Sequence, residues 1–204
     1  MKRLGILLSG RGSNFLAIHR AIHEGRLPGA EVAVVLSNKA DAPGLAAARE
    51  LGIPAQHIPA AGRTAAERDA EFVDKLLRCG TDLVCLAGYM RIISPDFVHA
   101  FPNRILNVHP SLLPSFPGLD AQAQALEFGA KIAGCTVHFV DEAVDHGVII
   151  LQRAVPVLDD DTPETLAARL LIEEHQAYPE AIARVLSGNY EIRGRRFVLG
   201  QNKS

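Results

Sequence analysis

The feature of this sequence that most constrains its fold is an alternation of short apolar runs with segments of helical periodicity. The apolar runs predict strands at Arg3–Leu8, Glu31–Leu36, Asp82–Ala87, Arg104–Val108, Lys131–Val140 and Val148–Val157. The helical patterns predict helices at Asn14–Glu24, 41–52, Ala66–Cys79, Asp120–Phe128 and Pro163–Leu186. Chains that alternate in this way form a largely parallel, twisted sheet with helices on both faces. We therefore predict an α/β fold in a single domain spanning residues 1–204, which ends in a hairpin or tail from about residue 189 to 204.

Composition limits the kind of partner that such a domain could take. The chain has 204 residues, 48% of them hydrophobic, and a formal net charge of −2 at pH 7, which suits one globular domain. Proteins that bind nucleic acid or anionic membranes usually carry a basic excess or a basic face. The densest basic run, Arg193–Arg196, is better interpreted as part of a solvated hairpin. We therefore expect no nucleic-acid partner and no membrane partner.

The cysteines and the N-terminus bear on localisation. Cys79, Cys85 and Cys135 are widely spaced and form no Cys-x-x-Cys motif. Cys85 and Cys135 lie inside apolar runs, which predicts buried, reduced thiols. The N-terminal segment MKRLGILLSGRG holds too few apolar residues for a signal peptide or a membrane span, and we predict that it contains the first strand. Together these features predict a cytoplasmic protein.

A glycine-rich segment, SGRGSN, joins the first predicted strand to the first predicted helix. Its glycines allow close approach of the backbone, and a phosphate group can bind to free amides at a helix N-terminus. Phe15 stands where the dinucleotide fingerprint needs a third glycine, and the Gly-Lys-Ser/Thr of a Walker loop is absent. The segment therefore predicts either a tight turn with a good N-cap or a phosphate site, and a monophosphate is favoured over a dinucleotide.

The strand Arg104–Val108 carries two polar residues at its end, in the segment ILNVHPSLLPSFPG. A strand presents Asn107 and His109 on one face, while Val108 points to the other. Pro110 keeps His109 extended and then stops strand pairing. Ligand sites in open α/β sheets lie at the carboxyl ends of the strands. An amide and an imidazole held there suit the oxyanion that develops at an attacked carbonyl carbon.

Two other kinds of active site are poorly supported. A hydrolytic triad could use Ser111, but the sequence contains no Gly-x-Ser-x-Gly elbow. A zinc site could use His19 and His23, which are one helical turn apart. However, Arg20 stands where a metalloprotease needs glutamate, and no third ligand is evident. We therefore predict a site that requires no metal ion.

The segment VDEAVDHGVIILQ, between the last two predicted long strands, offers carboxylates near such a site. Asp141 and Glu142 are expected to be solvated loop acids. Asp145 comes just before the His146–Gly147 turn, where backbone geometry can fix its side chain. We therefore expect Asp145 to be the carboxylate that is held in place.

The last predicted helix carries a charge on its apolar side. The apolar row includes Ala167, Leu171 and Tyr178, and Glu174 and His175 fall on or beside it. A charge on a core-facing row is costly unless it is paired or contacts a ligand. Glu174 is therefore predicted either to pair internally or to contact a ligand.

Taken in order, these segments resemble the folate-dependent formyltransferases. The motifs that carry the resemblance are SGRGSN, SNKADAPGL, LAGYMRI, ILNVHPSLLPSFPGLDAQAQALEFG, GCTVHFVDEAVDHGVIILQ and EEHQAYP, which cover about Leu4 to Leu186. The resemblance implies a single-domain formyltransferase fold with a Rossmann-like N-terminal half. It also implies transfer of the formyl group of 10-formyltetrahydrofolate, a co-substrate, to the amine of glycinamide ribonucleotide in de novo purine biosynthesis. A homodimer is compatible with the resemblance.

The resemblance assigns roles to individual residues. It implies that Asn107 and His109 stabilise a tetrahedral intermediate, and that Asp145 positions His109 and assists proton transfer. The residues implied to bind the ribonucleotide are Gly12, Ser13, Asn14 and Glu174. The residues implied to bind the folate are Tyr89, Met90, Arg91, Ile92, Ile93, Asn107, Asp141, Glu142, Ala143, Val144, Asp145 and His146. One departure is His146, which stands where relatives often carry a small residue.

Three other functions would fit part of this pattern. Methionyl-tRNA formyltransferases resemble this chain with a C-terminal extension that helps to bind tRNA, whereas this chain ends at Ser204 and is not basic. Formyltetrahydrofolate hydrolases resemble it with an extra N-terminal regulatory domain, whereas this chain starts with the first predicted strand. A non-enzymatic nucleotide-binding module would not need Asn107, His109 and Asp145 together. The sequence therefore favours formyl transfer to the ribonucleotide.

Overall fold

The computed structural model describes residues 1–59 and 61–200. The chain divides after Asn107 into two compact units, and each is described separately. The elements before the division are β1 (Lys2–Leu8), α1 (Ser13–His23), β2 (Ala30–Ser37), α2 (Pro43–Glu50), β3 (Ala55–His57), α3 (Ala65–Arg78), β4 (Leu83–Leu86) and α4 (Pro95–Ala100), and the strand β5 (Ile105–His109) crosses it. The elements after it are α5 (Ala121–Phe128), β6 (Ile132–Phe139), β7 (Ile149–Pro156), α6 (Pro163–Leu186), β8 (Tyr190–Arg193) and β9 (Arg196–Leu199). A single domain stays a prediction, and residues 201–204 of the predicted hairpin or tail lie outside the described residues.

The N-terminal unit is built on a parallel sheet with the strand order β3-β2-β1-β4-β5. β1 pairs in parallel with β2 and with β4, and β4 pairs in parallel with β5. The central strands are buried because their sequences are nearly continuous apolar runs, as expected for parallel strands covered on both faces. The carboxyl ends of the neighbouring parallel strands β1 and β4 therefore lie at one edge of this sheet, where residues 9–14 and 88–93 follow them.

The C-terminal unit has a mixed sheet. β6 and β7 are antiparallel, with a register shift between Val137 and His138. β9 pairs in parallel with β7 and forms an antiparallel hairpin with β8. The helix α6 packs on β6 and β7, and its buried Leu166 and Leu170 join Ala133 and Val155 in one apolar cluster.

Most predicted elements are confirmed to within one or two residues at each end. α6 has the predicted bounds: Thr162 accepts a hydrogen bond from the Thr165 amide, and Pro163 occupies the first turn. The sequence does not predict β3 or α4, because three and six residues are too few to show a period. The predicted apolar row of α6 is wrong in its first half. There Leu166 and Leu170 are fully buried, whereas Ala167 and Leu171 are only partly buried.

The state of the cysteines agrees with the prediction from the sequence. The three cysteines are free, and Cys85 and Cys135 are buried, as predicted. Burial raises the pKa of the Cys135 thiol to about 12, so this thiol is inert as a nucleophile. Within the described ranges, no helix is long and apolar enough to cross a membrane.

Candidate active site

The segment of residues 9–14, here called the glycine loop, is shaped by close main-chain contacts. Gly12 is the N-cap of α1 and has φ 75°, in the left-handed region that favours glycine. A Cβ atom on Gly12 would lie 3.0 Å from the Cα atom of Gly44, whose amide donates to the carbonyl oxygen of Gly10 at 3.1 Å. Because glycine has no side chain, the N-cap cannot block the first amides of α1, where Ser13 and Asn14 begin the helix. These amides can therefore receive an anion.

Ser9 connects the glycine loop to the segment after β4. Its amide donates to the carbonyl oxygen of Gly88 at 2.9 Å, and its hydroxyl accepts from the Met90 amide at 2.8 Å. The same hydroxyl donates to the side-chain oxygen of Asn38 at 2.6 Å. Ser9 is buried, so these bonds fix the two segments relative to each other within the N-terminal unit.

The segment Tyr89–Ile93, predicted to bind folate, has a buried start and an exposed middle. Tyr89 is buried edge-on against Phe72, with 5.6 Å between ring centroids, and burial raises the pKa of Tyr89 to about 12. Met90 and Ile92 are 65% and 71% exposed, and Arg91 is exposed as well. Large apolar side chains exposed side by side offer a surface for a ligand.

A buried ion pair on α3 holds the far end of this segment. The guanidinium of Arg68 donates to the carboxylate of Asp69 at 2.7 Å, and both side chains are buried. Arg68 also donates to the carbonyl oxygen of Ile92 at 3.0 Å, while Asp69 accepts from the Ser94 amide at 2.6 Å. Breaking a buried pair leaves an uncompensated charge, so these two residues anchor the segment strongly.

β5 delivers Asn107 and His109 in an extended conformation. The strand runs one residue further than predicted, to His109, and Asn107 lies opposite Leu86 of β4. His109 is buried and Asn107 is partly buried. Because the strand includes both residues, alternation places their side chains on one face.

Both ring nitrogens of His109 lie beside hydrogen-bond acceptors. Nε2 is 2.9 Å from the carbonyl oxygen of Phe116, and Nδ1 is 3.3 Å from Oδ2 of Asp145. An imidazolium can donate to both acceptors, whereas neutral imidazole can donate to one. The ring is therefore oriented from two sides by the residues around it.

The carboxylate of Asp145 is bonded to one amide and lies near two histidines. Besides facing His109, it accepts from the Gly118 amide at 2.8 Å and lies 3.7 Å from Nε2 of His138. His138 is buried, which lowers its pKa, and its Nδ1 is 2.7 Å from the carbonyl oxygen of Phe139. Asp145 itself has φ 51°, a conformation uncommon outside glycine. The structure thus brings Asp145 and His109 together.

The chain after His109 is pinned by β6 and β7. The hydroxyl of Thr136 donates to the carbonyl oxygen of Ser111 at 2.6 Å and accepts from the Leu113 amide at 3.0 Å. The side-chain amide of Gln152 donates to the carbonyl oxygen of Leu113 at 2.9 Å. Ser111 is buried, and its hydroxyl donates to the carbonyl oxygen of Ser115 at 2.6 Å. Ser111 therefore stabilises its own loop, which argues against its use as a nucleophile.

Residues 141–147, here called the acidic loop, connect β6 to β7. The Asp141 carboxylate accepts from the Ala143 amide at 3.1 Å and lies 2.9 Å from Nδ1 of His146. Asp141 is thus bonded within its loop as well as partly solvated. A Cβ atom on Gly147 would lie 1.7 Å from the carbonyl oxygen of Phe139, so only glycine fits there.

Glu174 is buried in α6, with 8% of its surface exposed. This agrees with its predicted place on the apolar side of the helix. Its negative charge adds to the burial that raises the pKa of Cys135. Contact of Glu174 with a ribonucleotide stays a prediction.

His19 and His23 lie one turn apart on α1, with ring centroids 4.1 Å apart. Partial burial lowers the pKa of His19, and His23 adds to this shift. In the described part of the chain, no three His, Cys, Asp or Glu side chains are grouped so that they could hold a metal ion.

Sequence reasoning missed several residues that shape the site. Thr136 and His138 alternate inside the apolar strand GCTVHFV, which is the pattern that singled out Asn107 and His109, so a signal was present. Arg68 carried no such signal, because a charged residue in an amphipathic helix is usually solvated. Phe116 contributes a main-chain carbonyl, which any residue could supply.

Comparison with known proteins shows the family to which this chain belongs. The formyl transferase family model matches residues 2–182, so the chain belongs to the formyl transferase family. The crystal structure of glycinamide ribonucleotide transformylase 1 from Symbiobacterium toebii is 54% identical to it, with a TM-score of 0.96, and covers 98% of this chain and 95% of that one. The predicted α/β formyltransferase fold is therefore confirmed.

Two relatives place the chain within that family. Phosphoribosylglycinamide formyltransferase of Haemophilus influenzae is 42% identical over 95% of this chain and 91% of its own length. The trifunctional purine biosynthetic protein adenosine-3 of Drosophila melanogaster is 46% identical over 92% of this chain. This chain spans 14% of the length of that trifunctional relative.

Proposed function

We propose that this chain transfers the formyl group of 10-formyltetrahydrofolate to the amine of glycinamide ribonucleotide. The amine nitrogen bonds to the formyl carbon, the bond from that carbon to N10 of the folate breaks, and one proton passes from the amine to N10. The products are formylglycinamide ribonucleotide and tetrahydrofolate. The observation that carries the proposal is the 3.3 Å contact between His109 and Asp145 at the end of the strand that also holds Asn107.

We assign the oxyanion of the tetrahedral intermediate to Asn107 and His109. The side-chain amide and the ring N–H are donors on one face of β5, and oriented donors stabilise charge that develops in the transition state. Nε2 of His109 faces the carbonyl oxygen of Phe116. The formyl oxygen therefore has to share the N–H of Nε2 with the Phe116 carbonyl oxygen or displace that carbonyl oxygen from it.

We assign Asp145 the role of orienting His109 and assisting proton transfer. Its carboxylate faces Nδ1 and stabilises an imidazolium by direct attraction. This leaves Nε2 as the nitrogen that serves the substrate. The Gly118 amide keeps the carboxylate in place, so that little reorganisation is needed during the reaction.

We assign the ribonucleotide phosphate to the glycine loop. The amides of Gly12, Ser13 and Asn14 lie where α1 begins, and a helix N-terminus attracts anions. The ribonucleotide carries one phosphate group, which matches a loop that lacks the dinucleotide fingerprint. Glu174 is assigned to the ribonucleotide on the family resemblance.

We assign the folate to the segment Tyr89–Ile93 and to the acidic loop. The first offers exposed apolar side chains at Met90 and Ile92, and the second exposes Val144 together with its main-chain polar groups. Folate combines a flat ring with polar edges, so it needs both kinds of contact. A cytoplasmic location, a homodimer and the lack of nucleic-acid and membrane partners remain predictions from the sequence.

One incubation tests the proposal against its rivals. The protein is mixed with 10-formyltetrahydrofolate and with glycinamide ribonucleotide, with methionyl-tRNA or with no acceptor, while tetrahydrofolate is followed by absorbance and the acceptor by mass spectrometry. We expect one formylated ribonucleotide for each tetrahydrofolate, and no turnover without the amine. Tetrahydrofolate released without the amine would indicate a hydrolase. Transfer to methionyl-tRNA would indicate the other formyltransferase, and no turnover with any acceptor would indicate a binding module.

A further inference from the structure

The turn between β8 and β9 contacts the acidic loop through one arginine. Arg195 lies in this turn, and its Nη2 donates to the carbonyl oxygen of His146. Its Nη1 lies 3.1 Å from Nε2 of the same histidine. One guanidinium therefore contacts both the main chain and the ring of His146. A planar group with several N–H donors in a fixed fork is suited to such a double contact.

His146 connects Arg195 to Asp141, at the start of the acidic loop. Nδ1 of His146 is 2.9 Å from the carboxylate of Asp141, which also accepts from the Ala143 amide. Arg195, His146 and Asp141 thus form a connected chain, here called the Arg195 clasp. The clasp links the two ends of the acidic loop to the β8–β9 turn.

Aromatic packing holds the β8–β9 hairpin in a position from which Arg195 contacts His146. Tyr190 and Phe197 stack with ring centroids 4.6 Å apart. Both also pack on Phe139, at 6.2 Å and 6.3 Å. Phe139 is the last residue of β6 and stands just before the acidic loop. The hairpin is therefore anchored at its base by the strand that leads into the loop, and Arg195 reaches the loop from the tip.

The clasp ends beside the residue whose carboxylate faces His109. His146 directly follows Asp145, whose left-handed backbone conformation persists only where its surroundings hold it. The Arg195 contact fixes the carbonyl group of His146, and the close approach at Gly147 fixes the next residue. The conformation of Asp145 is thus constrained from its C-terminal side by groups that do not touch His109.

We propose that Arg195 is a positioning residue: it holds the acidic loop in its binding shape and so sets the affinity for the folate and the orientation of Asp145. The identity of the ligand rests on the proposed function, whereas the effect on loop shape does not. Arg193 provides a matched control, because it lies in the same hairpin but pairs with Glu191 within β8.

The test compares Arg195→Ala and Arg195→Lys with the control Arg193→Ala. Loss of a charge-assisted, two-point contact should raise the KM for 10-formyltetrahydrofolate about tenfold in Arg195→Ala. The KM for the ribonucleotide should change by less than about twofold in every variant, as should both KM values in the Arg193 control. Arg195→Lys should recover only part of the affinity, because an ammonium keeps the charge but lacks the planar fork.

A second readout follows loop shape without substrate. The Gly118 amide donates to Asp145, so its NMR resonance reports the position of that carboxylate. We expect this resonance to move in Arg195→Ala and to stay in place in Arg193→Ala, with faster hydrogen exchange of the acidic loop only in the former. Equal KM values, equal resonances and equal exchange in the two variants would overturn the proposal. If the wild-type protein shows no formyl transfer, the proposed function fails, while the resonance and the exchange still decide whether the clasp holds the loop.

Discussion

The glycine loop and the acidic loop differ in what each offers a ligand. The glycine loop offers main-chain amides at the start of α1, and its shape depends on Gly12 in the left-handed region and on close packing against Gly44. The acidic loop offers carboxylates, and each described carboxylate contact involves a partner side chain or amide at a defined distance. The glycine loop binds through its backbone and is held by one side chain, Ser9, whereas the acidic loop is held by several contacts of its side chains.

This difference follows from the chemistry assigned to each loop. A phosphate group keeps its charge throughout the reaction, so fixed amide dipoles are enough to bind it. A step that moves protons needs titratable groups held at hydrogen-bond distance. Substitutions in the glycine loop should therefore act mainly on substrate affinity, whereas substitutions in the acidic loop should also act on kcat. The predictions below test this contrast, starting with the largest expected effect.

Asp145→Asn should be the most damaging change. It keeps the shape of the side chain but replaces the charge that faces His109 with a neutral amide. We expect kcat to fall by about 10²- to 10³-fold, as it should for His109→Ala. The control Asp159→Asn removes an exposed acid that pairs with Lys131 and should leave kcat within about twofold of wild type. If kcat falls by less than about tenfold in Asp145→Asn, the acidic loop only binds substrate, and the proposed difference between the two loops is wrong.

Gly147→Ala should have the largest effect on stability among the glycines of the two loops. Its Cβ atom would meet the carbonyl oxygen of Phe139 at 1.7 Å, and a main-chain atom cannot move aside cheaply. We expect a loss of about 2–3 kcal/mol in the free energy of unfolding, measured by urea denaturation. Gly10→Ala is the control, because its Cβ atom would meet nothing within 4 Å and should cost less than about 0.5 kcal/mol. Equal losses would mean that the acidic loop adapts as freely as the glycine loop.

Gly12→Ala should weaken one substrate selectively. A Cβ atom here is strained by the left-handed φ and by the 3.0 Å approach to Gly44, which displaces the first amides of α1. We expect the KM for glycinamide ribonucleotide to rise about tenfold while the KM for the folate changes by less than about twofold. Gly29→Ala introduces a similar strain at φ 72° in open space, outside the site, and should leave both KM values unchanged. If only the folate KM rises in Gly12→Ala, the phosphate binds elsewhere.

The smallest expected effect is on the pH dependence of stability. Burial lowers the pKa of His138 below its usual 6.5, although the nearby Asp145 opposes this shift. Below that value the unfolded chain binds a proton that the folded chain does not, so this histidine lowers stability as the pH falls through about 6.5. His138→Gln should therefore make the loss of stability between about pH 7.5 and pH 5.5 shallower than in wild type. Urea midpoints at both pH values measure this, and parallel losses in the two proteins would show that His138 charges in the folded state.

Much of the fold follows from local patterns. The start of α6 follows from a capping threonine and a proline in the first turn, both within its own sequence. β3 and α4 do not, because they are too short to show a period. β3 exists because it pairs in parallel with β2, and this pairing is visible only once distant segments have packed.

The candidate site divides in the same way. The sequence by itself determined that Asn107 and His109 share one face at the end of a strand, since alternation is a local property of an extended chain. Only the tertiary structure decided their surroundings: the carbonyl group of Phe116, the buried His138 and the reach of Arg195 to the acidic loop. A main-chain carbonyl carries no residue identity, and contacts between residues far apart in the chain arise from the packing of whole elements. Neither kind of contact produces a pattern in the sequence near Asn107 and His109.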